Sequence, residues 1–126
     1  MTPMRAAGLA RCERASSAVE LAIILSVFVS MIFGIINLSI VLWTLGSLHY
    51  AAETAARCAA VGSSSCTNPA TYALNHYYGA SLGGTNPFSY SATGCGHTVT
   101  ASYTYSLVVP MLGTFSLPLS AAACSP

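Results

Sequence analysis

Apolar and polar residues are distributed unevenly along this chain. Residues 21–45 contain no charged side chain and consist mostly of Leu, Ile, Val, Phe, Met, Ala and Gly. A helix that crosses a membrane needs about 20 predominantly apolar residues, at about 1.5 Å of rise each. This run therefore predicts one membrane span, and it is longer than the roughly 15-residue apolar region of a cleaved signal peptide.

The helical pattern continues past the predicted span. Residues 49–61 are largely strong helix formers without Pro, and Gly62 is the residue type that commonly follows a helix end. This segment carries a stripe of small side chains, formed by Ala51, Ala52, Ala55, Ala56, Ala59 and Ala60. Such a stripe packs either on the chain's own C-terminal domain or on the helices of neighbouring subunits.

The rest of the chain shows shorter patterns. Asn68 and Pro69 predict the start of a short helix that runs to Tyr78 and stops at Gly79. The Gly-, Ser- and Thr-rich residues 79–96 then predict a long loop.

Two strands are predicted near the C-terminus. Residues 97–105 alternate between apolar and polar side chains, which is typical of a strand with one polar face. Residues 117–124 indicate a weaker second strand, in which Pro118 favours an edge position or a late start. We expect the two strands to form an antiparallel hairpin that turns near Pro110.

The composition argues against several classes of protein. Charged residues make up 6% of the chain, whereas about 25% is usual for soluble proteins. No charged side chain follows Cys58. A nucleic-acid-binding protein needs Lys and Arg to neutralise phosphates, so we expect no nucleic-acid partner. Low net charge favours association, which suits a domain that packs into an assembly.

Arginines and cysteines predict the same orientation in the membrane. Arg5, Arg11 and Arg14 precede the span, and such cationic flanks tend to stay in the cytoplasm. Of the five cysteines, Cys12 precedes the span and the others follow it. Several cysteines in a domain this small indicate disulfides and an oxidising compartment. We therefore expect a cytoplasmic N-terminus and an extracytoplasmic C-terminal domain.

Spacing narrows the choice of disulfide pairs without fixing it. Cys58 and Cys66 flank a short Ser-rich turn after the long helix. Cys95 and Cys124 have their midpoint next to Pro110, so an in-register hairpin that turns there brings them opposite each other. We therefore favour the pairs Cys58–Cys66 and Cys95–Cys124.

Glu20 stands at the entrance of the span, where a carboxylate is unfavourable. With Ser17 it forms an S-x-x-E capping box, a pattern typical of a helix start. It is also placed to pair with the α-amine of a neighbouring subunit after cleavage. The two interpretations are compatible, and the span alone favours the cap.

Residues 14–21, which read Arg-Ala-Ser-Ser-Ala-Val-Glu-Leu and precede the apolar run, resemble the class III signal of type IV pilins. More narrowly, the chain is similar to TadE-like pseudopilins of the tight-adherence (Flp) pilus. The Ala-rich residues 51–61 and the C-terminal residues 99–122 share this similarity, which is weakest over residues 66–96.

The resemblance implies a processing site and an assembly residue. A prepilin peptidase is expected to cut between Ala15 and Ser16, and Glu20 is expected to act in subunit assembly. Two positions depart from the family pattern. Ala15 stands where Gly is favoured, and Leu21 stands where an aromatic residue is usual.

The resemblance also implies a function, a location and partners. The chain is expected to be a minor pseudopilin-like component of a tight-adherence pilus in the bacterial inner membrane. Its partners are then the membrane, the prepilin peptidase, other pilins or pseudopilins and the pilus assembly platform. The alternative is a signal-anchored surface or periplasmic binding domain that is not part of any pilus. In that case the tyrosines of the C-terminal domain line its binding site.

Catalytic, cofactor and metal sites are not indicated. His49, His76 and His97 match no standard zinc spacing when combined with the cysteines. Glu53 is the only acid after the span, so a Ser-His-acid triad lacks a plausible third member. No Gly-rich phosphate-binding loop is present. We therefore expect a non-enzyme with no cofactor, no metal and no small-molecule substrate.

These predictions define a membrane-anchored α+β protein. Residues 1–15 form a cytoplasmic leader, and residues 16–62 form a transmembrane helix that extends out of the bilayer. Residues 63–126 form a small disulfide-stapled extracytoplasmic domain with a short helix and a C-terminal antiparallel β-hairpin.

Overall fold

A computed structural model describes residues 6–109 and 113–126, with side chains from residue 16 onward. Helix α1 spans Ala6–Val61, a 3-10 turn spans Ser64–Cys66, and helix α2 spans Pro69–Asn75. Strands β1 (Phe88–Ser91), β2 (His97–Val109) and β3 (Gly113–Ser125) follow. The predicted fold class, a long N-terminal apolar helix with a small α+β domain, is confirmed.

The chain divides into two compact units, one ending at Ile36 and the other covering Asn37–Pro126. In the first unit, the described side chains all belong to α1 and are exposed. Leu21, Val27 and Met31, for example, are 65%, 67% and 65% exposed. Among the described residues, one helix is long and apolar enough to cross a membrane. Apolar side chains exposed all around a helix are typical of a helix in lipid.

Helix α1 begins earlier than the sequence predicted. The helical backbone runs from Ala6 through Ser17 and Glu20 without a break, so these two residues do not cap a helix start. The predicted capping box is therefore wrong for the intact chain. The reason is that residues 6–15 are mostly strong helix formers and contain no Pro. Residues 1–5 of the predicted leader lie outside the described residues.

The other end of α1 agrees with the prediction. The helix stops at Val61, and Gly62 follows with a φ of +64°. That left-handed conformation carries no steric penalty for Gly and is the usual way to end a helix.

The core of the second unit lies between α1 and the sheet. Its buried members from α1 are Val41, Thr44, Leu48, Ala51, Ala52, Ala55 and Ala56. Those from α2 and the strands are Ala73, Phe88, Val99, Ala101, Leu119 and Ala121. Small side chains on both surfaces allow the helix and the strands to approach closely. The alanine stripe therefore packs on the chain's own domain at its first four positions, whereas Ala59 and Ala60 are half-buried.

The sheet has three antiparallel strands in the order β1-β2-β3. The predicted alternation in β2 is confirmed, because Val99 and Ala101 are buried while Thr100 and Ser102 are exposed. The edge position that Pro118 favoured is also confirmed, since β3 pairs only with β2.

Strand β1 lies inside residues 79–96, so the prediction of an uninterrupted loop there is wrong. Phe88 is the one buried residue of this strand and pairs with Ala101. Ser89 adds a side-chain hydrogen bond to Thr100, with 2.6 Å between the hydroxyl oxygens. The alternation of β1, Phe-Ser-Tyr-Ser, is only four residues long, which is the lower limit of the pattern that predicts a strand.

The hairpin register differs from the expected one. The sequence placed Cys95 opposite Cys124, but Thr98 occupies that position and the ladder ends with Val109 opposite Gly113. Cys95 precedes β2 and is not in the ladder. The predicted turn near Pro110 falls within residues 110–112, outside the described residues.

Helix α2 starts as predicted and ends early. The Asn68 side chain accepts a hydrogen bond from the backbone N–H of Thr71 at 3.3 Å, and Pro69 follows as the first helical residue. The helix ends at Asn75 rather than at Tyr78, because the backbone of Tyr78 makes its hydrogen bonds with α1.

Candidate functional site

The predicted processing and assembly residues all lie on α1. The backbone is helical at Ala15, and Ser16, Ser17 and Glu20 have exposed side chains. These residues directly precede the apolar run, so the polar-to-apolar boundary falls within about one helical turn of Glu20.

Glu20 is the only charged residue between Ser16 and Ala52. Its neighbours Val19 and Leu21 are 61% and 65% exposed. A carboxylate on a surface of this kind is costly in lipid, and membrane proteins usually keep such a group for a cationic partner. Two serines of the span, Ser26 and Ser30, are satisfied within the helix, since both donate to backbone carbonyls at 2.8 Å. Among the side chains that the structure describes in this unit, Glu20 is therefore the one charged group exposed on an apolar surface.

In the second unit, a polar contact fixes the loop after α2 onto α1. The Trp43 indole Nε1–H donates to the Tyr78 carbonyl at 3.0 Å. The Tyr78 N–H in turn donates to the Ser47 hydroxyl at 2.7 Å. Both backbone groups of one loop residue are thus bound by one helix. We call this arrangement the Trp43–Tyr78 clamp.

Thr44 supports the clamp from the core. Its side chain is fully buried, and its hydroxyl donates to the Ile40 carbonyl at 2.8 Å and accepts from the Ala80 N–H at 3.4 Å. The buried hydroxyl is therefore satisfied on both sides. This contact was not predicted from the sequence, although Trp43, Thr44 and Ser47 lie close together at the end of an apolar run.

Tyr77 is tied into the same loop. Its hydroxyl donates to the Ala80 carbonyl at 2.7 Å, and its ring meets Phe88 edge-on at 6.3 Å. Burial raises the pKa of the Tyr77 phenol above its ordinary value of 10.0, Tyr103 raises it further, and a hydrogen bond with Thr44 lowers it. Tyr77 is therefore neutral at physiological pH and acts as a structural hydrogen-bond donor.

The structure brings the four cysteines that follow the apolar run together in the pairs that the sequence favours. The Cα atoms of Cys58 and Cys66 are 5.9 Å apart, and those of Cys95 and Cys124 are 6.4 Å apart. Both distances are within the range of native disulfides. The first pair closes the turn after α1, and the second joins the segment before β2 to the end of β3.

Two of the three histidines make local contacts. His76 Nδ1 lies 2.9 Å from the Tyr72 carbonyl, and the two rings stack with 4.2 Å between centroids. His97 Nδ1 lies 2.6 Å from the Tyr90 hydroxyl. Within residues 6–109 and 113–126, no three His, Cys, Asp or Glu side chains are grouped so as to hold a metal ion.

The tyrosines of the domain do not form a single binding surface. Tyr72, Tyr77, Tyr103 and Tyr105 pack against the hydrophobic core. Tyr78, by contrast, is 67% exposed. This distribution gives the alternative of a tyrosine-lined binding site little support.

Residues 15–57 match the model of the TadE-like protein family. The match begins at Ala15, includes Glu20 and the whole apolar run, and ends beside Cys58, so it confirms the resemblance that the N-terminal residues predicted. The C-terminal strands lie outside the matched segment. No curated protein and no solved structure shows significant similarity to the chain.

Proposed function

We propose, from the TadE-like family match over residues 15–57, that this chain is a minor pseudopilin-like component of a tight-adherence (Flp) pilus. The observation that carries the proposal is that the matched segment includes the exposed apolar part of α1, with Glu20 at its start. The match supports a component related to the tight-adherence pilus with an N-terminal membrane helix. The roles of individual residues in processing and assembly are part of our proposal and go beyond the family match.

The proposed location is the bacterial inner membrane, crossed once. The arginines before the span favour a cytoplasmic N-terminus. Residues 63–126 then form the domain outside the cytoplasm, in the periplasm or at the cell surface. The two cysteine pairs at disulfide distance support this orientation, because disulfides persist in oxidising compartments.

The proposed processing step is hydrolysis of the peptide bond between Ala15 and Ser16 by a prepilin peptidase. The cut removes residues 1–15, including Cys12, and leaves the four cysteines of the extracytoplasmic domain. It also creates a new α-amine at Ser16, at the start of the remaining helix. The mature chain then consists of the helix over residues 16–62 and the domain over residues 63–126.

The proposed assembly step pairs that amine with a carboxylate. Glu20 of an incoming subunit attracts the Ser16 amine of its neighbour, and the attraction is strong because the surroundings are apolar. The amine exists only after cleavage, so assembly depends on processing. The assembly platform and other pilins supply the remaining contacts.

A charge-removing substitution tests this role. We expect Glu20→Gln to be inserted and processed but to fail to co-purify with the other pilus subunits. Glu53→Gln, which changes an exposed glutamate in the second unit of the same helix, serves as the matched control and should co-purify normally. Normal processing and normal co-purification of Glu20→Gln would remove the charge of Glu20 from the mechanism.

A further inference from the structure

We infer that a groove on α1, beside the Trp43–Tyr78 clamp, binds one acyl chain of a phospholipid from the outer leaflet of the membrane. The groove has a volume of about 290 Å³ and is lined by Leu42, Trp43, Gly46, Ser47, Tyr50 and Tyr78. We call it the Gly46 groove. All of its residues belong to the second unit. The inference rests on the membrane anchoring within the proposed function and on no other part of it.

Gly46 gives the groove its depth. It is an exposed residue in the interior of α1, where Gly is less favourable than Ala. Apart from its chain neighbours and the backbone of its own helix, no described atom lies within 4 Å of the point where a Cβ of residue 46 would stand. Packing among the described residues therefore does not require Gly at this position. The missing side chain instead leaves open space beside the larger side chains of Trp43 and Tyr50.

The walls of the groove are apolar and aromatic. Leu42, Trp43 and Tyr50 of α1 are 59%, 67% and 53% exposed, and Tyr78 of the loop after α2 is 67% exposed. The clamp engages two polar groups of the lining, because the Trp43 indole N–H donates to the Tyr78 carbonyl and the Ser47 hydroxyl accepts from the Tyr78 N–H. None of the six lining residues carries a formal charge. The chemistry of the groove thus fits a hydrocarbon chain and not an ion.

The groove begins within the apolar run and ends just beyond it. Trp43 belongs to the uncharged residues 21–45, whereas Tyr50 follows them. From Trp43 to Tyr50, α1 rises about 10 Å at about 1.5 Å per residue. A second groove, of about 430 Å³, shares Trp43 and is lined in part by Ser39 and Ile40 of the same run. No charged residue lies in the sequence between the run and the groove, so a lipid chain reaches the groove without passing an ion of this helix.

An acyl chain fits the groove better than a neighbouring helix does. A helix is about 10 Å across, so over the length of the groove it occupies roughly 800 Å³, which is far more than the available 290 Å³. Trp and Tyr are enriched at membrane interfaces, where their rings contact acyl chains and their polar ends reach headgroups. Tyr50 and Tyr78 each carry a hydroxyl that can donate to an ester or phosphate oxygen of the same lipid. The groove therefore matches a phospholipid whose chain lies on the rings and whose headgroup lies beside the hydroxyls.

Photo-cross-linking to lipid tests the groove. The full chain is reconstituted into vesicles of phosphatidylethanolamine and phosphatidylglycerol that contain a trace of phospholipid with a diazirine in its acyl chain. After irradiation, mass spectrometry of the peptides locates the lipid adducts. We expect adducts at Tyr50 and Tyr78, which lie outside the apolar run, in addition to adducts within residues 21–45.

Two glycine variants separate the groove from the rest of the helix. Gly46→Leu fills the groove with a side chain, and Leu is a better helix former than Gly, so the fold is kept. We expect it to lower the adducts at Tyr50 and Tyr78 at least about fourfold, which is the effect of displacing one methylene group. Gly34→Leu is the matched control, because Gly34 is also an exposed glycine of α1 with open space at its Cβ position. It should leave these adducts at the parent level, and circular dichroism establishes that both variants are folded.

The outcomes separate this inference from the proposed function. Adducts confined to residues 21–45 in the parent chain overturn the inference and leave the anchor intact. Adducts at Tyr50 and Tyr78 that persist unchanged in Gly46→Leu also overturn it, because lipid then reaches these tyrosines without the groove. If Gly46→Cys forms a disulfide-linked dimer through that residue in the membrane, a second copy occupies the groove and the inference is again overturned.

Two further outcomes concern the proposed function. Absence of lipid adducts along the whole chain contradicts both the inference and the membrane anchoring on which the proposed function depends. A chain that shows the expected adducts but never enters a pilus leaves the inference standing while the proposed function fails.

Discussion

Thr98 and Cys124 are direct partners in the β2–β3 ladder, and the Thr98 hydroxyl lies 3.3 Å from Cys124 Sγ. Cys95, the disulfide partner of Cys124, precedes β2 and is not part of the ladder. Its Sγ lies 3.6 Å from the same hydroxyl. The Cys95–Cys124 link therefore fastens the segment before β2 to the end of an already paired hairpin.

The two disulfides are expected to contribute unequally to stability. Cys95 and Cys124 are separated by 29 residues and Cys58 and Cys66 by 8. Loop-closure entropy gives about 3.6 kcal/mol for the longer loop and about 2.5 kcal/mol for the shorter one. We expect C95S/C124S to lower the free energy of unfolding by about 1 kcal/mol more than C58S/C66S does. Denaturant titration in detergent measures this, and equal losses would contradict the entropic account.

The alanine stripe predicts a steric requirement. Ala55 is completely buried between α1 and the domain, so Ala55→Leu should cost about 1–3 kcal/mol through overpacking. Ala60→Leu, at a half-buried position of the same helix, is the control and should cost much less. Thermal unfolding of both variants measures the two losses of stability. Equal stability of the two would mean that the stripe does not pack on the domain.

The clamp predicts a local change in backbone protection. Ser47→Ala removes the acceptor of the Tyr78 N–H, which should destabilise the loop by about 0.5–1.5 kcal/mol. Hydrogen exchange at the Tyr78 amide should accelerate by about 2- to 10-fold. In Thr54→Ala, which removes only hydrogen bonds within α1, that amide should exchange at the parent rate. An unchanged rate in Ser47→Ala would show that the clamp does not hold the loop.

The raised pKa of Tyr77 predicts that the folded protein loses stability in alkali. Its folded-state pKa lies above the ordinary value of 10.0 because burial disfavours the phenolate. Above pH 10 the unfolded chain therefore loses this proton first, so the stability falls as the pH rises toward the folded-state pKa. Tyr77→Phe should be less stable by about 1 kcal/mol at neutral pH, since it lacks the hydrogen bond to Ala80. In denaturant titrations, the free energy of unfolding of Tyr77→Phe should also fall less in alkali than that of the parent chain. An equal fall would exclude Tyr77 as the source of the alkaline loss.

Local patterns in the sequence predicted much of this fold. The apolar run, the end of α1 at Gly62, the Asn68 cap and the alternation in β2 each depend on neighbouring residues, and all agree with the structure. The start of α1 was placed too late because a capping box inside a longer helix reads like a helix start. The hairpin register was wrong because the segment before β2 turns at Gly96, where φ is +124°, and spacing alone does not reveal such a turn.

In the candidate site, too, local sequence patterns predicted some residues and missed contacts between distant ones. Ala15, Ser16 and Glu20 were predicted from consecutive residues that resemble a known signal, and their roles stay predictions. The Trp43–Tyr78 clamp was not found, because it joins residues 35 positions apart and uses the backbone of Tyr78. Backbone donors and acceptors are identical at almost every position, so they leave no trace in a sequence.

The most direct test of the pilus proposal is the N-terminus of the mature chain. The intact mass and the N-terminal sequence are measured on protein from its native membrane, with a strain lacking the prepilin peptidase as the control. The proposal predicts a chain that begins at Ser16 in the parent strain and at Met1 in the deletion strain. A chain that begins at Met1 in both strains would contradict processing at Ala15 and, with it, the assembly role of Glu20.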